Sequence, residues 1–177
     1  DFLGIEKIGS GEQSGTWGDT TNTNWDLTDE AITGIVSVTL SSAGSSGSPT
    51  ALPITDGSSS NGRNKFIEFV DGGDLGGTAY VQLTPNNAEK ICYLRNSLSS
   101  SRSVIIFQGN YSASNDFEIA NGKDVVLKFN GNGTGATVTQ VFTNLSIDAL
   151  TSGAATFSGD VTITGTTPPL TIGDAGA

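Results

Sequence analysis

The sequence predicts an all-β fold, an antiparallel β-sandwich of jelly-roll type that carries an N-terminal arm and one short helix. Three observations lead to this prediction. Short segments of alternating apolar and polar residues recur between residues 35 and 143. Clusters of Gly, Asn, Asp and Ser, typical of tight turns, separate these segments. The apolar fraction is 35% and there are 24 glycines, a composition that favours many short strands.

Residues 1–34 are predicted to form the arm and the helix. Phe2, Leu3 and Ile5 belong to a short apolar arm, which a glycine-rich stretch connects to the rest of the chain. A flexible tether of this kind lets an arm reach a neighbouring surface.

The predicted helix begins near Asn22 and ends at Gly34. Asn22 or Thr23 can cap its first turn, and a glycine is a common helix end. The apolar residues expected to share its buried side are Leu27, Ala31 and Ile32, with Trp25 closing over them.

Residues 35–143 are predicted to form the β-sandwich domain. The nine predicted strands comprise residues 35–40, 51–54, 65–70, 79–83, 90–94, 103–107, 116–119, 124–129 and 136–142. The dipeptide Asn121-Gly122 favours a hairpin between two of them. Alternation does not fix strand order, so a sandwich, a barrel and a short β-helix all stay compatible with the pattern.

The sequence pattern changes in residues 144–177. They contain short β-like segments separated by Gly and Pro, each too small to bury a face alone. Such segments become stable by pairing with copies from other chains or by stacking in series. We therefore expect an extended β-rich region here that continues downstream.

The charge pattern excludes several classes of partner. The net charge is −10, and the eight basic residues are dispersed along the sequence. A row of phosphates needs clustered basic residues, so nucleic-acid binding is not expected. No segment approaches the roughly 20 consecutive apolar residues of a membrane span, so membrane insertion is not expected either.

The sequence offers little catalytic chemistry. Histidine is absent, which removes the commonest general base. Cys92 is the only cysteine and lies in an apolar stretch, where a buried structural role is favoured. The segment 71–77 weakly resembles a calcium-binding turn, and a plain turn is favoured. We therefore predict no enzyme activity, no cofactor and no metal site.

Trp17 and Trp25 are the only tryptophans, and both precede the strands. In one interpretation they cover one end of the sandwich. In the other they dock into a neighbouring protein, since aromatic anchors dominate the energetics of many interfaces.

A family resemblance supports the second interpretation. The run Gly-Glu-Gln-Ser-Gly-Thr-Trp-Gly at 11–18, the Thr-Asn-Thr-Asn-Trp of 21–25 and the Glu-Ala-Ile-Thr-Gly of 30–34 resemble the N-terminal, tail-anchoring module of phage tail fibre proteins, as in marine podoviruses (cyanophage-like). The segments at 156–161 and 170–177 resemble the start of a fibre shaft. The resemblance implies a homotrimer in the virion tail, bound to tail adaptor or nozzle proteins, whose distal part contacts the host receptor.

The sequence therefore predicts a structural tail fibre component. The residues expected to contact a sister chain or a tail adaptor are Phe2, Leu3, Ile5, Trp17, Trp25, Leu27 and Ile32. One alternative is a carbohydrate-binding adhesin, which the scattered positions of Tyr80, Tyr93 and Tyr111 disfavour. The other is a polysaccharide depolymerase, whose candidate carboxylates are Glu68, Asp116 and Glu118.

Overall fold

The computed structural model describes residues 5–143. Within them, the helix α1 (Trp17–Thr33) precedes nine strands, and short 3-10 helices occupy Asn61–Arg63 and Gly133–Gly135. The strands are β1 (Ile35–Leu40), β2 (Thr50–Pro53), β3 (Phe66–Asp71), β4 (Ala79–Thr84), β5 (Glu89–Asn96), β6 (Val104–Gln108), β7 (Phe117–Ile119), β8 (Asp124–Asn130) and β9 (Val138–Gln140). The predictions for Phe2, Leu3 and the shaft segment 144–177 lie outside the described residues.

The strands form two mixed sheets. One has five strands in the order β1-β3-β5-β8-β9, and the other has four in the order β2-β4-β6-β7. The first three strands of each sheet are parallel neighbours, and β7, β8 and β9 add antiparallel pairs. Because β1 to β6 alternate between the sheets, the chain winds through three successive coils and then reverses.

The predicted all-β antiparallel sandwich is therefore wrong. The described chain is an α/β structure with two mixed sheets and no closed barrel. Nine strands occur close to the predicted positions, so the error lies in their pairing. Apolar alternation and turn residues locate a strand, but they carry no information on the direction of its neighbour.

The turn at Asn121-Gly122 illustrates the error. Gly122 has φ +70°, as the Asn-Gly pattern predicts. However, β7 pairs with β6 and β8 pairs with β5. The turn therefore carries the chain from one sheet to the other and does not close a hairpin.

The core lies between the two sheets. Their inner faces contribute one continuous cluster that includes Ile67, Phe69 and Cys92 from the five-stranded sheet and Val81 and Ile106 from the other. Within β3, Ile67 and Phe69 are fully buried. The burial predicted for Cys92 is confirmed.

Buried amide side chains connect the coils at their turns. Asn96 Nδ2 donates to the carbonyl oxygens of Arg102 and Ile119, each at 2.8 Å. Asn96 Oδ1 accepts a hydrogen bond from the backbone N–H of Leu98 at 3.0 Å. These bonds satisfy polar groups that would otherwise be costly to bury.

The helix differs from its prediction at the N-terminal end. It begins five residues early, at Trp17, and Gly34 follows its last residue as predicted. Thr28 Oγ1 donates to the carbonyl oxygen of Asn24 at 2.8 Å. Hydroxyl bonds of this kind let threonine occupy a helix interior. Leu27 is the single buried residue of α1.

Candidate functional site

Helix α1 presents apolar side chains to solvent. Trp17, Trp25 and Ile32 are 63%, 68% and 65% exposed. Because an α-helix repeats every 3.6 residues, positions 17, 21, 25, 28 and 32 share one face. We call Trp17, Trp25 and Ile32 the helix stripe. Neither tryptophan closes over the core, contrary to the sequence-based interpretation that placed them there.

The N-terminal arm runs back along the helix. Glu6 N donates to Asn24 Oδ1 at 3.0 Å, and Asn24 Nδ2 donates to the carbonyl oxygen of Glu6 at 2.8 Å. Next to this pair, Ile5 and Trp25 line a cavity of about 280 Å³. The structure thus brings together two of the predicted contact residues.

Leu27 has a different role from the one predicted. Its side chain is only 2% exposed. It lies two residues after Trp25, and two residues along an α-helix are about 200° apart. Leu27 therefore fixes α1 to its own chain and cannot belong to the surface that faces a partner.

The carboxylate of Glu30 attaches the Leu27 side of the helix to neighbouring residues. Glu30 Oε1 accepts hydrogen bonds from Ser60 N at 3.2 Å and from Asn64 Nδ2 at 2.9 Å. Glu30 Oε2 lies 3.5 Å from Arg63 Nε. At the end of the helix, Gly34 N donates to the carbonyl oxygen of Glu30 at 2.9 Å. The helix stripe consequently keeps a defined direction relative to the sheets.

The outer face of the five-stranded sheet carries an apolar row. Ile35 pairs with Phe66, Phe66 with Tyr93, and Tyr93 with Val126. Val141 continues the row, since its N–H donates to the carbonyl oxygen of Val126 at 2.9 Å. We call these five residues the outer row. Ile35, Tyr93 and Val141 are exposed, and the other two are partly buried.

A polar row runs beside it. Ser37 Oγ donates to Glu68 Oε2 at 3.3 Å, and Arg95 Nε lies 3.6 Å from Glu68 Oε1. Arg95 Nη1 lies 2.8 Å from Asp124 Oδ2. Glu68 is thus engaged in an ion pair, which does not suit it to act as the free acid of a glycosidase.

Three lysines meet beyond the other side of the outer row. Lys65, Lys90 and Lys128 line a cavity of about 640 Å³ together with Ile91. Ile91 is exposed and directly opposite Lys128 in the sheet. The basic residues are dispersed along the sequence, but the fold gathers three of the eight here. We call Lys65, Lys90 and Lys128 the lysine cluster.

The lysine cluster is positioned by neighbouring elements. Lys90 Nζ donates to the carbonyl oxygen of Arg63 at 2.6 Å. Burial lowers the pKa of Lys90, and the positive charge of Lys65 lowers it further. Lys65 Nζ lies 5.9 Å from the centroid of the Tyr93 ring, within the range of a cation–π contact. Positive charge therefore adjoins the exposed aromatic residue of the outer row.

An aromatic group covers part of the four-stranded sheet. The rings of Tyr80 and Tyr111 are edge to face with centroids 5.8 Å apart, and Phe107 and Tyr111 are edge to face at 5.3 Å. Two of the three tyrosines are thus close together, although the sequence separates them. Tyr93 lies on the other sheet.

The candidate carboxylates of a glycosidase are divided between the two sheets. Glu118 lies in β7 of the four-stranded sheet, whereas Glu68 lies in β3 of the other. Asp74 receives two hydrogen bonds from Arg102, at 2.7 and 2.9 Å, and this contact holds the pKa of Asp74 far below its usual range. Residues 5–143 contain no group of three or more His, Cys, Asp or Glu side chains that could hold a metal ion.

Neither the outer row nor the lysine cluster was predicted from the sequence. A usable signal was present, because β1, β3, β5 and β8 carry apolar residues on both faces near their starts or centres. In a strand with one solvated face, only every second residue should be apolar. However, recognising one row requires the parallel register, which the alternation does not give.

Comparisons with protein-family models, with curated proteins and with solved structures gave no match. The helices in the described part of the chain lack the length and apolar character that crossing a membrane requires.

Proposed function

We propose that this chain is the tail-anchoring part of a phage tail fibre, a structural virion protein. The single observation that carries the proposal is the exposure of Trp17 and Trp25 on one face of a helix. Both tryptophans belong to the motif at residues 11–25 that resembles tail fibre modules. In this role the motif contacts a partner protein and does not pack against the chain's own core.

The proposed mechanism is mechanical. Glu30 and Leu27 fix the helix to the coiled sheets, so force applied to the sheets is transmitted to the helix. Burial of a tryptophan removes about 150–250 Å² from water, which makes two of them strong anchors. A stable attachment needs an interface of about 1,600 Å² in total, and the arm would contribute the rest.

The proposed assembly is a homotrimer bound to tail adaptor or nozzle proteins. A symmetric trimer gives the weak segments of residues 144–177 partners from sister chains. The receptor-binding part would lie downstream. In this role the chain needs no cofactor and performs no reaction.

Immunogold electron microscopy of virions that carry the protein tests the proposal. Antibodies against the 177-residue chain should label the tail at the base of the fibres. Label confined to the capsid, or none on intact virions that hold the protein by mass spectrometry, would contradict a tail-anchoring role. This result does not depend on the oligomeric state of the isolated chain.

The edge-to-face pair of Tyr80 and Tyr111 favours glycan binding as a second candidate function. Aromatic rings close together on a sheet surface can stack on sugars. Binding of the chain to a glycan array, lost in Tyr111→Ala and kept in Tyr93→Ala, would support this candidate. No binding to any glycan would leave the structural role alone.

A further inference from the structure

Residues 5–143 carry two apolar surfaces with exposed members, the helix stripe, whose Trp25 adjoins Ile5 of the arm, and the outer row. We propose that the helix stripe of one copy packs on the outer row of a second copy. The inference deepens the proposed function, since it rests on the proposed homotrimer and names the surfaces that build it. Trp17 and Trp25 then serve tail attachment by holding together the trimer that presents the arms to the tail.

The two surfaces agree in length. Trp17 and Ile32 are fifteen residues apart, which corresponds to roughly 22 Å along a helix. The outer row crosses five adjacent strands and thus spans roughly 19 Å. A helix lying along the row would place its three apolar side chains over the five apolar side chains of the sheet.

The two surfaces are also complementary in charge. Helix α1 contains four acidic residues and no basic residue. Asp29 is exposed and follows Trp25 by four positions, so the two are neighbours on the helix surface. On the sheet, Lys65 lies over Tyr93 and the exposed Lys128 flanks Ile91. Asp29 beside the stripe would thus meet the lysines beside the row.

The contact must join different copies. Within one copy, Leu27 and Glu30 hold the opposite side of α1, and the helix stripe points away from that attachment. The two surfaces are also different from each other, so the contact is heterologous. Heterologous contacts close into rings when the rotation allows, and a ring of three copies gives a trimer.

Charge reversal with compensation tests the inference. The 177-residue chain is examined by sedimentation equilibrium at several loading concentrations, because association depends on protomer concentration. Asp29→Lys and Lys128→Glu should each weaken association roughly tenfold, because each brings like charges together across the contact. The double variant Asp29→Lys/Lys128→Glu should recover most of the loss. A mixture of the two single variants should associate better than either alone.

Matched controls separate a local effect from a change in net charge. Asp19→Lys changes the net charge as Asp29→Lys does, but position 19 lies about 200° around the helix from Trp17. Lys123→Glu does the same for the sheet, since Lys123 is exposed in the turn between β7 and β8. Both controls should associate like the unaltered chain. Circular dichroism should show that every variant is folded.

Three outcomes would overturn the inference. A monomer at the highest loading concentration would show that the contact does not form, and the immunogold result would stand independently. A trimer unaffected by both reversals would show that other surfaces join the copies. If Lys128→Glu weakens association and the double variant does not restore it, the lysine cluster binds something other than the acidic helix.

Discussion

Glu30 of helix α1 and Arg63 of the first 3-10 helix form an ion pair with Oε2 and Nε 3.5 Å apart. Arg63 is 1% exposed and also donates from Nη2 to the carbonyl oxygens of Thr55 and Ser58. Its Nε and Nη1 have no hydrogen-bond partner in the described part of the chain, so Nε meets Glu30 as an ion pair without a hydrogen bond. Asp56 also acts on the charge of Arg63, but Glu30 is the carboxylate that lies within ion-pair distance, and a buried guanidinium with few partners depends strongly on it.

Glu30→Gln should therefore lower the free energy of unfolding by about 3 kcal/mol. The amide oxygen can still accept hydrogen bonds from Ser60 and Asn64, so the change isolates the negative charge. Chemical denaturation followed by circular dichroism measures the effect. Asp29→Asn, one position earlier and exposed, is the matched control. A loss for Glu30→Gln no greater than that of the control would show that the ion pair contributes little.

Gly34→Ala should destabilise the end of the helix. A Cβ at this position would lie 2.2 Å from the carbonyl oxygen of Glu30 and 2.5 Å from Asn64 Oδ1. The expected loss is about 1–3 kcal/mol of unfolding free energy, since a backbone oxygen must move. Gly18→Ala is the control, because no atom lies within 4 Å of its added Cβ and alanine favours the helix by about 1 kcal/mol. Equal thermal stability of the two variants would contradict the steric argument.

Trp17→Ala and Leu27→Ala should separate docking from folding. Trp17→Ala should change the unfolding free energy by less than about 0.5 kcal/mol, because the side chain is mostly exposed. It should still weaken binding to tails that lack fibres, as measured by cosedimentation. Leu27→Ala should cost about 2–5 kcal/mol of stability. If Trp17→Ala loses as much β structure as Leu27→Ala, the docking role is wrong and Trp17 supports the fold.

Cys92 should be unreactive while the chain is folded. Burial raises the pKa of the Cys92 thiol to about 11, from 9.0, and the residue is almost fully buried. Two pKa units mean roughly a hundredfold less thiolate at pH 8, and the thiolate is the nucleophile. A thiol reagent such as Ellman's reagent should thus modify the folded chain very slowly and the unfolded chain stoichiometrically.

Tyr93→Cys in a Cys92→Ser background is the matched control, because the adjacent side chain points outward from the same strand. It should react at the rate of a free thiol. Fast reaction of Cys92 in the native chain would contradict its placement in the core.

The same pKa shift gives a pH dependence. A folded pKa above the unfolded one means that the folded chain holds the proton more tightly. The contribution of Cys92 to stability is therefore fully present below pH 9 and lost between pH 9 and 11. Denaturation midpoints across this window should fall in the unaltered chain and fall less in Cys92→Ala.

The strands could be predicted from local pattern, whereas their pairing could not. Ile67 and Phe69 lie two residues apart with Glu68 between them, a spacing that favours one buried face. Nothing near Phe66 indicates that its neighbours are Ile35 and Tyr93, since both partners are remote in sequence. The direction and order of the sheets depend on these remote pairs.

The candidate site could likewise be predicted only in part from local sequence. The exposure of Trp17 and Trp25 agrees with a docking motif read from the sequence, but Leu27 was wrongly grouped with them. The helix period places Leu27 on a different side from Trp25, and only the position of the 3-10 helix at Asn61–Arg63 shows which side is covered. Likewise, the lysine cluster requires three strands in register.

The parallel coils have an evolutionary consequence. Ser37 and Glu68 face each other on successive coils although they are 31 residues apart. In-frame duplication or deletion of one such unit would leave the pairing geometry on either side unchanged, as in other repetitive architectures. The reversal at β7 to β9 terminates the stack, so its length can vary while both ends stay the same. Genomic rearrangement could thus lengthen or shorten the body without redesigning the helix or the terminal strands.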